Sequence, residues 1–281
     1  MVSSLLLLLA LQAPTAATSA PQSIAIRADR MFDAESGRMV SPGLVVVSGK
    51  HIGQVGGSPP PGARLIELGD ATLLPGLIDS HTHISDWRAE DWHDKFLMGG
   101  AARALVAAKN ARVTLQAGFT TVRDLWSYGR TDVAIRDAVA RGDVPGPRIV
   151  AAAIPLGARG GHCEQTWSVV DPLPGLEGGV AVGADGFRDG VRHAIKRGAD
   201  VIKVCISSGI GDASARPDAV QLTQEEIDAV VDEAHRLGVK VAVHSHSDLG
   251  ARMDIEGSWP KIPLRRRGWL SLCGARLALF A

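Results

Sequence analysis

This chain has no net charge, few cysteines and few aromatic residues. Its 281 residues carry 30 Lys and Arg against 30 Asp and Glu, with 3 Cys and only 4% aromatic residues. Balanced charge argues against a nucleic-acid partner. Three cysteines cannot build a disulfide scaffold, and at least one thiol must stay unpaired. A hydrophobic content of 46% is too high for a disordered chain, so the composition favours a globular α/β protein with a sizeable core.

Long apolar runs are also missing, apart from one at the start. Residues 5–11 are almost all leucine and are followed by Pro14 and a run of small residues up to Ala20. A bilayer span needs about 20 apolar residues, so this segment is too short to cross a membrane. We interpret residues 1–20 as a signal peptide, which predicts an exported (periplasmic or extracellular) protein with no membrane span after cleavage. The alternative is an uncleaved tail on a cytoplasmic protein.

Two regions with different sequence patterns follow the leucine-rich segment. Residues 21–70 contain short β-rich pieces separated by Pro and Gly turns, which indicates a small β domain. From residue 71 to 246, apolar runs alternate with helical patterns, which is typical of βα units around a parallel sheet. Five strands are predicted, at 72–80, 119–125, 148–153, 200–207 and 240–244.

Helix boundaries in the second region are marked by specific residues. A glycine placed to end a helix precedes four of the strands: Gly118, Gly142, Gly198 and Gly238. The clearest helix is 224–237, where Thr223 and Glu226 form a predicted capping box. Five βα units suit either a doubly wound sheet or most of a (β/α)₈ barrel.

Histidine pairs end two of the predicted strands. Residues two apart in a strand point to the same side, so His81 and His83 share a face, as do His244 and His246. Neighbouring neutral imidazoles are metal ligands. The less specific interpretations are strand-end histidines bonded to backbone groups, for the first pair, and exposed histidines, for the second.

Lys203 lies inside the apolar run of the fourth predicted strand. Lysine is almost never buried without a partner, so its presence there needs a reason. Burial lowers the pKa of an amine and makes it a nucleophile, for a Schiff base or for CO₂ capture. The alternative is a lysine on an edge strand whose amine reaches solvent.

Six segments spread over residues 24–247 resemble the amidohydrolase superfamily, and more closely its imidazolonepropionase-like and Xaa-Pro dipeptidase-like branch. They occur in the family's order. The segments are LPGLIDSHTH at 74–83, AGFTTVRDL at 117–125, GPRI at 146–149, GGHC at 160–163, GADVIKV at 198–204 and VAVHSH at 241–246.

The resemblance implies a fold and a chemistry. The fold would be a partial (β/α)₈ TIM-type barrel of about five βα units, preceded by part of a small β-sandwich domain. The activity would be hydrolysis of C–N bonds in a dipeptide, another small molecule or a cyclic amide, by a metal-activated water and with one or two divalent ions, zinc above all.

The same resemblance assigns roles to individual residues. His81 and His83 would bind the first metal ion and His244 the second, with Lys203 as a carboxylated lysine that bridges them. His162, with His246, would face the substrate and take part in catalysis.

The end of the sequence departs from the family pattern. The family has a further histidine ligand on its sixth strand and a catalytic aspartate on its eighth, whereas no histidine follows His246 here and only Asp248 and Asp254 remain. We expect residues 247–281 to be an atypical, out-of-frame tail caused by a frameshift or premature stop, unless they belong to a genuine short variant. Such a chain would be a fragment or pseudoenzyme with partial metal binding and little or no activity. Its open sheet edges would favour aggregation or a homo-oligomer.

A few other residues carry two interpretations. Asp124 lies at a strand end, where it has either a functional or a structural role beside Arg123. Residues in the loop after the first strand either line a pocket or only pack: Trp87, Trp92 and His93. Cys163 has no neighbouring pattern of a cysteine nucleophile, and we expect Cys205 to be a small buried apolar residue.

Overall fold

A computed structural model describes residues 23–86, 98–164, 179–209, 216, 218–258 and 272–273. The chain divides into two compact units, Met1–Pro75 and Gly76–Ala281. The predicted signal peptide, Trp87, Trp92, His93 and most of the tail after residue 258 lie outside the described residues. Within the described ranges, no helix has the length and hydrophobicity that a membrane crossing requires.

The first unit is built from short strands. They are β1 (Ile24–Ala28), β2 (Arg30–Asp33), β3 (Arg38–Val40), β4 (Gly43–Ser48), β5 (His51–Val55), β6 (Arg64–Glu67) and β7 (Thr72–Leu73). One sheet has the order β5-β4-β1-β6 and the other β3-β2-β7. Ala25, Leu44 and Val46 form the buried cluster of the larger sheet.

The second unit alternates strands with helices. Its strands are β8 (Leu77–Thr82), β9 (Phe119–Asp124), β10 (Arg148–Ala151), β11 (Pro155–Ala158), β12 (Gly179–Ala181), β13 (Val201–Cys205), β14 (Lys240–His244) and β15 (Leu272–Cys273). Its helices are α1 (Gly100–Gln116), α2 (Thr131–Arg141), α3 (Gly183–Lys196), α4 (Gln224–Arg236) and α5 (Asp248–Ser258). The sheet orders are β10-β9-β8 and β12-β11-β13-β14-β15, and every pairing in them is parallel. The α/β class with parallel sheets is therefore confirmed.

One of the predicted strands is divided and another is shorter than predicted. Residues 72–73 belong to a sheet of the first unit, and the strand of the second unit starts again at Leu77. The strand predicted at 148–153 stops at Ala151 because Ala153 adopts a left-handed backbone with φ 61°. The chain then enters the neighbouring sheet as β11. Asp200 N–H donates to Ala151 O at 2.7 Å, which links β10 to the start of β13.

Side chains on β13 alternate between two environments. Ile202 and Val204 pack in the large cluster that includes the buried faces of α3 and α4, whereas Val201 packs with Leu125 and Ala242 on the other side. Since residues two apart share a side, Lys203 lies on the side of Val201, away from the helices.

The predicted helix ends are confirmed. Gly118, Gly142, Gly198 and Gly238 all have φ between 78° and 99°, a conformation that glycine adopts without a Cβ clash. At the start of α4, Thr223 Oγ1 accepts from Glu226 N and the Glu226 carboxylate accepts from Thr223 N, which completes the capping box. Helix α5, within the segment expected to be an atypical tail, had no sequence prediction.

Candidate functional site

Chemically active side chains gather at the carboxyl ends of the parallel strands. His81 is the second-last residue of β8, and His83 follows one residue after the strand ends. His244 ends β14, His246 stands two residues later, and His162 is in the turn after β11. Carboxyl ends of parallel strands meet at one edge, which is where α/β proteins place binding and catalytic groups.

Six rings form a continuous aromatic row at this edge, consisting of His81, His83, Trp126, His162, His244 and His246. The ring centroids of His81 and His83 are 5.0 Å apart, and those of His83 and Trp126 are 6.3 Å apart. Trp126 lies 5.6 Å from His162, which is stacked on His244 at 4.1 Å. His246 completes the row, 4.7 Å from His244.

Lys203 lies beside this row and is 1% exposed. Its positive charge helps to lower the pKa values of His81, His83 and His244, so it acts electrostatically on both ends of the row. The structure therefore brings together the lysine and all five histidines that the sequence singled out.

Burial keeps three of the imidazoles neutral at physiological pH. Loss of solvent lowers the pKa of His81 to about 3 and that of His244 to about 2, with the neighbouring positive charges as smaller causes. The pKa of His83 falls to about 4 with desolvation as the largest cause, although part of this residue is exposed to solvent. Neutral imidazoles keep a nitrogen lone pair, which a metal ion or a proton can use.

Strand β9 holds the first histidine pair in place through backbone contacts. The buried Asp124 carboxylate accepts from the backbone N–H of Ile84, next to His83, and from that of Trp126. Arg123 Nε donates to Ser80 O at 2.7 Å, next to His81. Burial raises the pKa of Asp124 well above its usual value. Asp124 and Arg123 each support the β8 turn, so the structural interpretation of both residues fits the contacts.

The second histidine pair is held by polar contacts of the loops around it. His246 N–H donates to Ser207 Oγ at 2.7 Å, and His244 Nε2 lies 3.3 Å from Ser208 O. Gln221 Nε2 donates to Ser208 Oγ at 2.8 Å, and its Oε1 accepts from His162 N–H at 3.0 Å. Gln221 thus joins the two loops that carry His162 and Ser208. No sequence pattern predicted it or Trp126.

One expectation about cysteine needs correction. Cys205 is fully buried, as expected, but it forms a disulfide with Cys163 across 42 residues, with a Cα–Cα distance of 5.7 Å. The bond closes because Cys205 lies at the end of β13 and Cys163 in the turn after β11, and β11 and β13 are neighbouring strands. Cys163 is therefore a structural cross-link and not a candidate nucleophile.

The donor set at this edge fits a divalent metal ion by its chemistry. His81 Nδ1 is buried without a hydrogen-bond partner in the part of the chain that the structure describes. Within the same part, no group of three or more His, Cys, Asp or Glu side chains is arranged to hold an ion. A lysine carbamate at Lys203 would add an anionic oxygen ligand to the imidazoles, which is the ligand type that such a set lacks.

Comparisons with known proteins identify the family of this chain. Residues 72–260 match the model of the amidohydrolase family. The chain is similar to ochratoxinase from Aspergillus niger, with 31% identity over 198 residues, 63% of this chain and 40% of ochratoxinase. It is also similar to allantoinase from Streptomyces avermitilis, with 36% identity over 85 residues, 29% of this chain and 18% of that enzyme.

Solved structures show the same likeness. A Xaa-Pro dipeptidase with methionine bound in its active site has 32% identity and a TM-score of 0.75, over 84% of this chain and 60% of that one. The crystal structure of A. niger ochratoxinase has 27% identity and a TM-score of 0.72, over 85% and 59%. The chain thus spans less than two thirds of the length of these relatives. With a family match over well more than half of its residues, the chain belongs to the amidohydrolase family.

Proposed function

We propose that this protein is a metal-dependent hydrolase of C–N bonds in small acylated substrates, such as a dipeptide or a cyclic amide. The observation that carries the proposal is the aromatic row, with its neutral imidazoles and the buried Lys203, at the carboxyl edge of parallel strands. The family match and the likeness to a Xaa-Pro dipeptidase support an amide or peptide bond as the target. The fold we propose for the whole protein is a (β/α)₈ barrel.

The residues that would hold metal fall into two groups. His81 and His83 would bind one ion and His244 a second, with a carbamate on Lys203 between them. A divalent ion there would polarise the scissile carbonyl and lower the pKa of a water molecule. Zinc suits imidazole and carboxylate-type oxygen ligands, and manganese or cobalt would also fit.

The protein side chains have their own tasks. Carbamate formation would join the neutral form of the Lys203 amine to CO₂ and release one proton, so the uncharged amine would become an anion that can serve as an oxygen ligand. His162 and His246 lie next to His244 and are the candidates to bind the substrate and to carry protons. Trp126, between His83 and His162, offers an apolar wall to the substrate.

Export is a further part of the proposal. The leucine-rich segment at residues 5–11 and the Cys163–Cys205 disulfide both support an oxidising compartment, since disulfides rarely persist in the cytosol.

A hydrolysis assay on the full chain tests this proposal. Purified protein would be incubated with an Xaa-Pro dipeptide, an N-acyl amino acid and a cyclic amide, before and after chelation and zinc restoration. We expect one substrate to be cleaved, the activity to vanish on chelation and zinc to restore it. Cleavage that survives complete metal removal would contradict the metal role. A folded, metal-loaded protein that cleaves none of these bonds would contradict the hydrolase.

A further inference from the structure

We infer that the Cys163–Cys205 disulfide is the positioning element that holds His162 stacked on His244. The function of the stacked pair rests on the proposed hydrolase, whereas the positioning rests on the contacts alone. The sequence motifs did not assign this task to Cys163 or Cys205.

The disulfide and the ring stack both involve the turn that carries His162. Cys163 follows His162 directly in sequence, and Cys205 is the register partner of His244 on the neighbouring strand. The disulfide joins Cys163 to Cys205. The imidazoles of His162 and His244 stack with their centroids 4.1 Å apart and an interplanar angle of 26°. The bond therefore ties the turn that carries His162 to β13, the strand paired with the one that carries His244.

Close packing leaves the cross-linked turn little freedom on its other sides. A Cβ added at Gly157 would lie 2.8 Å from Cys163 Cβ, so this turn runs tightly against β11. A Cβ added at Gly209 would lie 2.2 Å from His162 Cε1, so the imidazole occupies the space that a side chain would fill there. These close approaches limit the movement of the turn and of the His162 ring, and the disulfide links the turn to β13.

The hydrogen bonds of Gln221 restrain this turn less firmly than the disulfide does. Gln221 Oε1 accepts from His162 N–H at 3.0 Å, which fixes the backbone but not the ring. The amide and hydroxyl contacts of Gln221 with Ser208 exchange with water when the turn opens. A covalent bond does not exchange, and both of its cysteines are fully buried. Removal of the disulfide should therefore loosen the turn locally.

Two variants of the full chain test the inference. Cys163→Ala/Cys205→Ala removes both sulfur atoms, and Cys163→Ser keeps a small polar group in the same turn. Peptide mapping of the unreduced wild type should recover the two cysteines as one linked pair, with Cys273 as the alkylated thiol. Recovery of free Cys163 and Cys205 would overturn the inference at once.

Hydrogen–deuterium exchange then reports the local effect. We expect exchange in residues 157–164 to rise about tenfold or more in both variants, while α4 changes by less than about twofold. NMR signals of His162 and His244 should shift as the stack separates, and those of the exposed His51 should stay in place. Unchanged His162 signals would overturn the inference. So would a uniform rise in exchange or loss of the fold in both variants, because the bond would then stabilise the whole unit and not this imidazole.

The experiment needs no turnover. Failure of the hydrolysis assay with the exchange result as expected would reject the proposed function and leave the positioning role. Normal hydrolysis by the wild type, with no local change in the variants, would support the proposed function and reject the positioning role.

Discussion

The two ends of the aromatic row are built differently. His81 is half-buried and His83 is exposed, and the backbone next to each is bonded to a side chain of β9. His244 is 7% exposed and Lys203 is 1% exposed, in a sheet that the disulfide ties to the neighbouring turn. The β8 end is open and held by exchangeable contacts, and the β13–β14 end is buried and cross-linked. Partly exposed imidazoles at one end of the row therefore face buried groups at the other.

This difference suits a site in which ligands enter from one side. The open β8 end can receive a substrate or an ion with little displacement of protein atoms. Lys203 and His244 at the closed end are buried, so charges there act in a medium of lower dielectric constant and their effect is stronger. The following substitutions test whether the two ends differ as described.

Loss of the buried amine should have the largest effect. Lys203→Met keeps the length of the side chain and removes the group that would carry the carbamate. We expect hydrolysis to fall by about 100-fold or more, with little change in the unfolding midpoint, because an apolar residue fits this buried place. The matched control is Lys196→Met on the exposed side of α3, which should leave both quantities unchanged. Wild-type activity in Lys203→Met would remove the lysine from the mechanism.

The β8 end should be sensitive to its supporting carboxylate. Asp124→Ala leaves the N–H groups of Ile84 and Trp126 without their acceptor, which should lower the free energy of unfolding by about 1–3 kcal/mol. Asp143→Ala removes a carboxylate from an exposed ion pair with Arg141 and should cost less than about 0.5 kcal/mol. Chemical denaturation measures both. Equal effects would mean that Asp124 does not hold the turn.

Acid should lower the stability of the metal-free protein, because its buried histidines are neutral in the folded state. An unfolded histidine has a pKa near 6.5, whereas folding lowers the pKa of His81 to about 3 and that of His244 to about 2. Below about pH 6.5 the unfolded chain binds protons that the native site excludes, so the free energy of unfolding falls with falling pH.

The measurement is urea denaturation with chelator from pH 7 to pH 4. We expect the midpoint to fall over this range in the wild type and to fall less in a variant with His81→Asn and His244→Asn, which cannot take up these protons. Parallel curves for the two proteins would contradict neutral burial.

The smallest effect concerns α4, which packs behind the closed end. Thr223→Ala removes the side-chain acceptor of the capping box and should cost about 1 kcal/mol of stability. Since the Thr223 side chain is bonded to Glu226 at the start of α4, kcat for any cleaved substrate should stay at the wild-type value. A change in kcat without a change in stability would show that α4 influences the site directly.

Local sequence rules were enough for the parts of the site that depend on one strand. The two-residue period placed His81 beside His83 and His244 beside His246, and the lone charge in an apolar run singled out Lys203. The left-handed glycines fixed where helices end. Each of these features depends on neighbours along the chain, so a single sequence contains the needed information.

Features that join distant segments could not be predicted in this way. The Cys163–Cys205 bond spans 42 residues and requires the pairing of β11 with β13, which no local pattern encodes. Gln221 and Trp126 have no motif, and they matter because loops from different strands meet there. The break at Ala153 was missed because alanine is an unusual residue for a left-handed backbone.

The central claim is that the aromatic row and Lys203 form a metal site, and metal content per chain tests it most directly. Plasma mass spectrometry would measure zinc in the purified protein, after loading and removal of excess ions, and in its His81→Ala and His244→Ala variants. The account predicts close to two zinc ions per folded wild-type chain and loss of zinc in each variant. A folded wild type that retains no metal, or variants that retain as much as the wild type, would contradict it.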